Sequence, residues 1–140
     1  MRDSKMVTER PCPFCNPRPE RILRENPLCY AIYDINPVSK GHTLLVPRRH
    51  IADYFATTPE EKAALIVLAD DVKSLLDERH HPGGYNFGVN IGEVAGQVIP
   101  HVHLHLIPRY RGDGYGHRGG MRWVIPRDST VQKKLMETSR

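Results

Sequence analysis

Apolar and polar positions alternate in short runs along most of this chain, and only once do they form a helical stripe. Leu28 to Ile35 reads as a strand, Asn36-Pro37 opens a turn that Gly41 closes, and His42 to Val46 reads as a second strand before Pro47. So short a connection predicts antiparallel pairing. The helical stripe follows Thr58-Pro59-Glu60-Glu61, which supplies an N-cap, Pro at the first helical position and Glu three residues after the cap. Leu65, Leu68, Ala69, Val72, Leu75 and Leu76 then recur at the spacing of one helix face, and Pro82-Gly83-Gly84 ends the run. Ile51 to Phe55 gives a shorter helical signal. Tyr85 to Ile91 predicts a third strand, Ile99 to Ile107 a fourth ended by Pro108, and Met121 to Pro126 a short edge strand. The expected fold class is therefore α+β: an antiparallel sheet of about five strands with one long and one short helix.

Composition narrows the partners. A chain of 140 residues suits one domain, here placed at 11–126, with a loose tail at 1–10 and a C-terminal tail at 127–140. No apolar run of membrane-spanning length occurs, and Met1 to Arg10 lacks the apolar stretch of a signal peptide, so a cytoplasmic protein with no membrane partner is expected. Twenty Lys and Arg against sixteen Asp and Glu give a net charge of +4 and a pI near 9.1, a mild bias towards anionic partners. The arginines are spread out, with local groups at Arg48-Arg49 and across Arg109 to Arg122. A small phosphate-bearing ligand accounts for the mild excess as well as RNA does, so composition alone does not separate the two. Three cysteines do not suggest a disulfide framework: Cys12 and Cys15 form Cys-Pro-Phe-Cys, and Cys29 reads as a small buried hydrophobe.

The chemistry concentrates in His101-Val-His103-Leu-His105-Leu-Ile107. On a strand, His101, His103 and His105 share one face, while Val102, Leu104 and Leu106 take the other and can pack on the long helix. A single metal held by all three is strained, because the outer Cα atoms lie roughly 13 Å apart at about 3.3 Å per residue. A metal using one or two of them with ligands from elsewhere remains open. Nucleophilic catalysis is the other reading. Imidazole titrates near neutrality, and the middle ring, His103, has partners on both sides. His105 then sits where a donor stabilises charge on a phosphate oxygen.

This motif resembles the signature of the histidine-triad (HIT) nucleotide hydrolases and transferases. The resemblance runs over roughly residues 11–110. It includes Tyr33-Asp34-Ile35-Asn36-Pro37, Gly41-His42-Thr-Leu-Leu-Val-Pro47 with His50, and Asn90-Ile-Gly92-Glu-Val-Ala-Gly96-Gln97. It implies that His103 attacks an α-phosphorus and forms a covalent nucleotidyl-histidine, which water hydrolyses to a nucleoside monophosphate. His42 would bond within the triad and help set the His103 tautomer, and His101 and His105 complete the catalytic set. Asp34 would take the ribose hydroxyls and Ile35 the base or sugar. Asn90, Gly96, Gln97 and the Val98 backbone would surround the phosphate. Several family members carry Ser or Thr where this chain has Val98, so side-chain assistance to the leaving group is absent at that position.

Resemblance also completes the cysteine pair. Some HIT proteins close a zinc site with the His after the second strand and the first triad His, which here gives Cys12, Cys15, His50 and His101. The expected cofactor is thus a structural Zn²⁺ with no organic cofactor, and the expected assembly is a homodimer with a continuous sheet. The substrate class that the resemblance implies is a nucleoside phosphate anhydride or ester, a dinucleoside polyphosphate or an adenylated small molecule. The alternative is a zinc-stabilised nucleotide- or RNA-binding module without turnover. The basic pI and the cysteine pair favour that alternative, and the complete triad opposes it.

Overall fold

The computed structural model describes residues 11–114, 118–125 and 129–139. Five strands, β1 (Ile22–Glu25), β2 (Cys29–Tyr33), β3 (Thr43–Pro47), β4 (Gly84–Val89) and β5 (Leu104–Arg109), form one sheet in the order β1-β2-β3-β5-β4. Every neighbouring pair is antiparallel. Two α-helices, α1 (Pro59–His80) and α2 (Ser129–Thr138), complete the α+β fold. The chain divides between Tyr110 and Arg111 into two compact units, with the whole sheet and α1 in the first and α2 in the second. No helix among the described residues is long and apolar enough to cross a membrane.

The start of α1 follows from its sequence. Thr58 accepts the Glu61 N–H at 3.0 Å, and the Glu61 carboxylate accepts the Thr58 N–H at 2.9 Å. Two otherwise unpaired N–H groups are met in this way, a device of about 1 kcal/mol. At the other end His81 adopts a left-handed conformation, φ +51°. The apolar stripe of α1 is buried against one face of the sheet, with Cys29, Ala31, Leu45, Val102, Leu104 and Leu106.

Register sorts the two faces. Ala31 pairs with Leu45 and Leu45 with Leu104, all turned towards α1. One residue along, Ile32 pairs with Leu44 and Leu44 with His105, so this row faces away from α1. Phe14 covers this second face, packed with Tyr30, Ile32, Leu44 and Val46. The Tyr30 hydroxyl donates to the Phe14 carbonyl at 2.5 Å.

Four expectations change. The fourth strand begins at Leu104, not Ile99. Pro100 has no N–H to give a ladder, and the His101 N–H turns back to the Ile99 carbonyl at 2.8 Å. It also runs past Pro108 to Arg109, because Pro108 lies within a pair with Tyr85. Met121 to Ile125 is no edge strand: Gly119 and Gly120 have φ of +94° and +40°, and a 3₁₀ turn at Gly120–Trp123 follows. Pro126, the last residue of that expected strand, lies outside the described residues, as does the expected tail at 1–10. Ile51–Phe55 yields a 3₁₀ turn at Tyr54–Ala56, while the short helix is α2, in a segment expected to be a tail.

Candidate active site and metal centre

Two groups of histidines lie on either side of His103, and each is read from which nitrogen holds the proton. A backbone N–H can only donate, so the Val38 N–H, 3.1 Å from His42 Nδ1, fixes that nitrogen as an acceptor. Burial lowers the His42 pKa and keeps the ring neutral, leaving its proton on Nε2. That proton is donated to His105 Nδ1 at 2.9 Å, with the Asp34 carboxylate 3.5 Å from the same His42 nitrogen. Burial, then the neighbouring His103 and His42, push His105 down to about 4, so it too is neutral near pH 7. With Nδ1 accepting, its proton lies on Nε2, which is buried and has no hydrogen-bond partner among the described residues. A buried N–H without an acceptor is rare in a folded chain, and this one can serve an oxygen atom brought from outside the protein.

His103 is set differently. Its Nδ1–H donates to the His101 carbonyl at 2.8 Å, which leaves Nε2 with a free lone pair. The family resemblance implies that His42 bonds within the triad and helps set this tautomer. His42 does bond within the triad, to His105, while the His103 tautomer is set by a main-chain oxygen. The rings of His103 and His105 have centroids 5.2 Å apart. A ring with a free Nε2 lone pair and a ring with an unpaired Nε2–H therefore stand next to each other. Leu104 and Leu106 hold the strand from behind, packed in the core under α1.

An apolar cleft opens beside His103, walled by Pro13, Phe14, Ile32, Leu44 and Ile99. Asp34 and Ile35 lie along it, and Arg21 stands exposed at its rim. One Asp34 oxygen accepts the Asn36 N–H at 2.9 Å and so shapes the turn after β2. Ile35 is exposed and free to meet a ligand. Asn90 follows β4, and Gly96 and Val98 lie exposed on the loop before Pro100. Gly96, with φ +92°, permits a turn that a side chain would strain. The Gln97 amide, expected beside the phosphate, is engaged by main chain. Its oxygen accepts the Gly92 N–H at 2.8 Å, and its nitrogen donates to the Ala52 and Ile99 carbonyls at 2.8 and 3.1 Å. Gln97 thus holds the loop in shape. Sequence reading missed the Pro13-Phe14 wall, whose one signal was its position between two cysteines.

The second group brings together Cys12, Cys15, His50 and His101, with ligand atoms all within 4.8 Å of one another. His101 donates Nε2–H to the Pro47 carbonyl at 2.7 Å, so its Nδ1 is bare. That nitrogen lies 3.4 Å from Cys12 Sγ, 3.7 Å from Cys15 Sγ and 3.2 Å from His50 Nδ1. His50 Nδ1 is 3.2 Å from Cys15 Sγ. A tetrahedral zinc with bonds of about 2.0 to 2.3 Å sets its ligand atoms roughly 3.3 to 3.8 Å apart. The donor set and its spacing fit such an ion. The carbonyl of Pro47 supplies the outer contact that orients a ligating imidazole. Asp34, His42 and His105 are also clustered closely enough for a metal. There, however, the His42 nitrogen facing the others carries a proton, so the group is a relay of hydrogen bonds and not a ligand set.

Residues 16–112 match the HIT domain. An uncharacterised HIT-like protein of Mycoplasma genitalium is 36% identical over 115 residues, covering 79% of this chain and 82% of its own. A bifunctional bis(5′-adenosyl)-triphosphatase/adenylylsulfatase of Arabidopsis thaliana is 34% identical over 95 residues, covering 68% of this chain and about half, 53%, of the plant protein. Among solved structures, a Zn-bound histidine triad family protein from Mycobacterium smegmatis superposes with a TM-score of 0.63 at 25% identity, covering 98% of this chain and 95% of that one. Both the sequence match and the arrangement of His42, His103 and His105 lead to one statement of identity: this chain belongs to the HIT family.

Proposed function

We propose that this protein is a nucleotidyl hydrolase or transferase that attacks the α-phosphate of a nucleoside phosphate anhydride or ester. The carrying observation is the His103 tautomer, with Nδ1–H held by the His101 carbonyl and the Nε2 lone pair left free. In this reading Nε2 attacks the α-phosphorus as the bond to the leaving group breaks, giving a nucleotidyl-His103 that water then cleaves to a nucleoside monophosphate. The unpaired His105 Nε2–H donates to a non-bridging phosphate oxygen, where charge builds in the transition state. Asp34 takes the ribose hydroxyls, and Ile35 with the apolar walls takes the base or sugar. Asn90, Gly96 and the Val98 backbone close around the phosphate. Dinucleoside polyphosphates and adenylylated acids suit the site, since their leaving groups are stable anions and need no donor at Val98. The plant relative's activities belong to the same class.

Zinc belongs to this proposal as a structural ion held by Cys12, Cys15, His50 and His101, fixing the segment that ends in the His101 carbonyl. A homodimer formed through a sheet edge, in the cytoplasm, completes the picture, and β1 and β4 are the two edges. Light scattering at the monomer mass would overturn the dimer. For the chemistry, an adenylyl compound is mixed with wild type and with His103→Ala, then quenched in acid and alkali. A base-stable, acid-labile adenylylated protein is expected in wild type only. The variant's turnover is expected to fall by about 10⁴-fold or more, the scale of nucleophile removal. Equal rates in the two proteins, or labelled His103→Ala, would refute the covalent role.

A further inference from the structure

The four-ligand centre and the apolar cleft share a segment of chain. Cys12 and Cys15 bracket Pro13 and Phe14, so the two residues that wall the cleft are also the span of the ligand loop. The loop closes on itself through a Cys15 N–H to Cys12 carbonyl bond at 3.3 Å. Phe14 is buried, and its ring meets His101 edge-on at 5.8 Å and His103 at 5.0 Å. One aromatic ring thus touches a ligand of the centre, the proposed nucleophile and the cleft interior. Tyr30 fixes the Phe14 carbonyl from the sheet side. Beyond that bond and the packing of the Phe14 ring on Ile32, Leu44 and Val46, the loop is held at its two ends by the cysteines.

From this geometry we infer that metal loading at Cys12, Cys15, His50 and His101 and nucleotide binding in the cleft are thermodynamically linked, with Phe14 as the positioning residue between them. The inference rests on the nucleotide-binding reading above and adds its regulation. With the ion bound, both ends of the Pro13-Phe14 span are fixed and the wall is formed before the ligand arrives. Without it, the nucleoside must order that wall on binding, and side-chain and loop ordering weaken the net affinity. Cys15 is exposed, so the ion can exchange with solvent without unfolding the sheet. Linkage is reciprocal: if the ion tightens nucleotide binding, the nucleotide must tighten the ion by the same factor. Occupancy of the cleft and availability of the metal would then report on each other.

The test uses the full-length protein, zinc, and AMP as probe. Zinc affinity is measured against a competing chelator with and without saturating AMP, and AMP affinity by calorimetry on zinc-loaded and stripped protein, with circular dichroism to follow folding. An effect of about tenfold in both directions is expected, within the usual range of coupling between sites. Phe14→Ala is expected to bind zinc still, with the factor reduced to about one, because it removes the ring but no ligand. Unchanged zinc affinity on adding AMP would overturn the linkage. So would an undiminished factor in Phe14→Ala, which is the signature of a stripped protein that simply unfolds. If zinc-loaded wild type does not bind AMP at all, the nucleotide reading itself fails and the linkage fails with it.

Discussion

The two histidine clusters of this protein are built from similar parts and do opposite things. At Cys12, Cys15, His50 and His101, the far nitrogen of His101 gives its proton to a carbonyl, so the near nitrogen is bare and faces the other ligands. At Asp34, His42 and His105, the far nitrogen of His42 accepts a hydrogen bond from the Val38 backbone N–H, so the near nitrogen carries the ring's own proton into the cluster. The first convergence suits a cation, and the second transmits a hydrogen bond to His105. What separates them is a main-chain partner on the outer side of one ring, Pro47 in one case and Val38 in the other. Proximity of ligand-type side chains therefore does not identify a metal site. The partner of the other nitrogen does.

Four variants bear on this contrast. The largest effect is expected from Cys12→Ser/Cys15→Ser, which should abolish bound zinc and lower Tm by about 10 °C or more, given several kcal/mol of lost metal contribution. Asp34→Asn should leave metal content unchanged, and loss of metal from that variant would erase the distinction between the clusters. Next, His42→Ala should reduce kcat by about 10²-fold while zinc stays bound, the range expected when a proton-positioning group is lost. A drop in metal content without a drop in kcat would reverse the assignment. The smallest effect is in pH dependence. His105 has a pKa of about 4 when folded, against 6.5 as the ordinary value. Between these values the unfolded chain binds the proton and the folded chain does not, so the His105 contribution to stability is full above about pH 6.5 and declines as pH falls towards 4. His105→Gln should flatten the stability profile in that window by up to one proton. An unchanged slope would show that burial does not hold the ring neutral.

Much of this was legible in the residues. Thr58-Pro59-Glu60-Glu61 announces its helix because the cap is local, and Leu65 to Leu76 show its buried face because one side meets a sheet. The alternation of Leu104 and Leu106 with His105 predicts the two faces of β5 for the same reason. Other features depend on partners distant in sequence. β1 is a short edge strand with exposed Arg24 and Glu25, so its apolar signal is too brief to register. His101 and His103 were expected on a regular strand. Their segment is instead held by single contacts, including the Val102 N–H to the Ile51 carbonyl at 2.8 Å, which no periodicity encodes. Gln97 is placed near the phosphate by the family resemblance, and its main-chain partners, Ala52 among them, emerge only once the chain is folded. The tautomers were the least legible, because each is decided by a backbone atom.

That dependence bears on how this site responds to genetic change. The acceptor that prepares His103 is the carbonyl of residue 101, and every amino acid carries one there. A side-chain acceptor disappears with one codon, whereas this one survives any substitution that keeps the local backbone path. A substitution at position 101 therefore removes an imidazole from the Cys12, Cys15 and His50 cluster, while position 103 takes its proton placement from chain geometry. What the His103 proton placement needs from its neighbours is only that Pro100 and the turn at Ile99 continue to aim that oxygen.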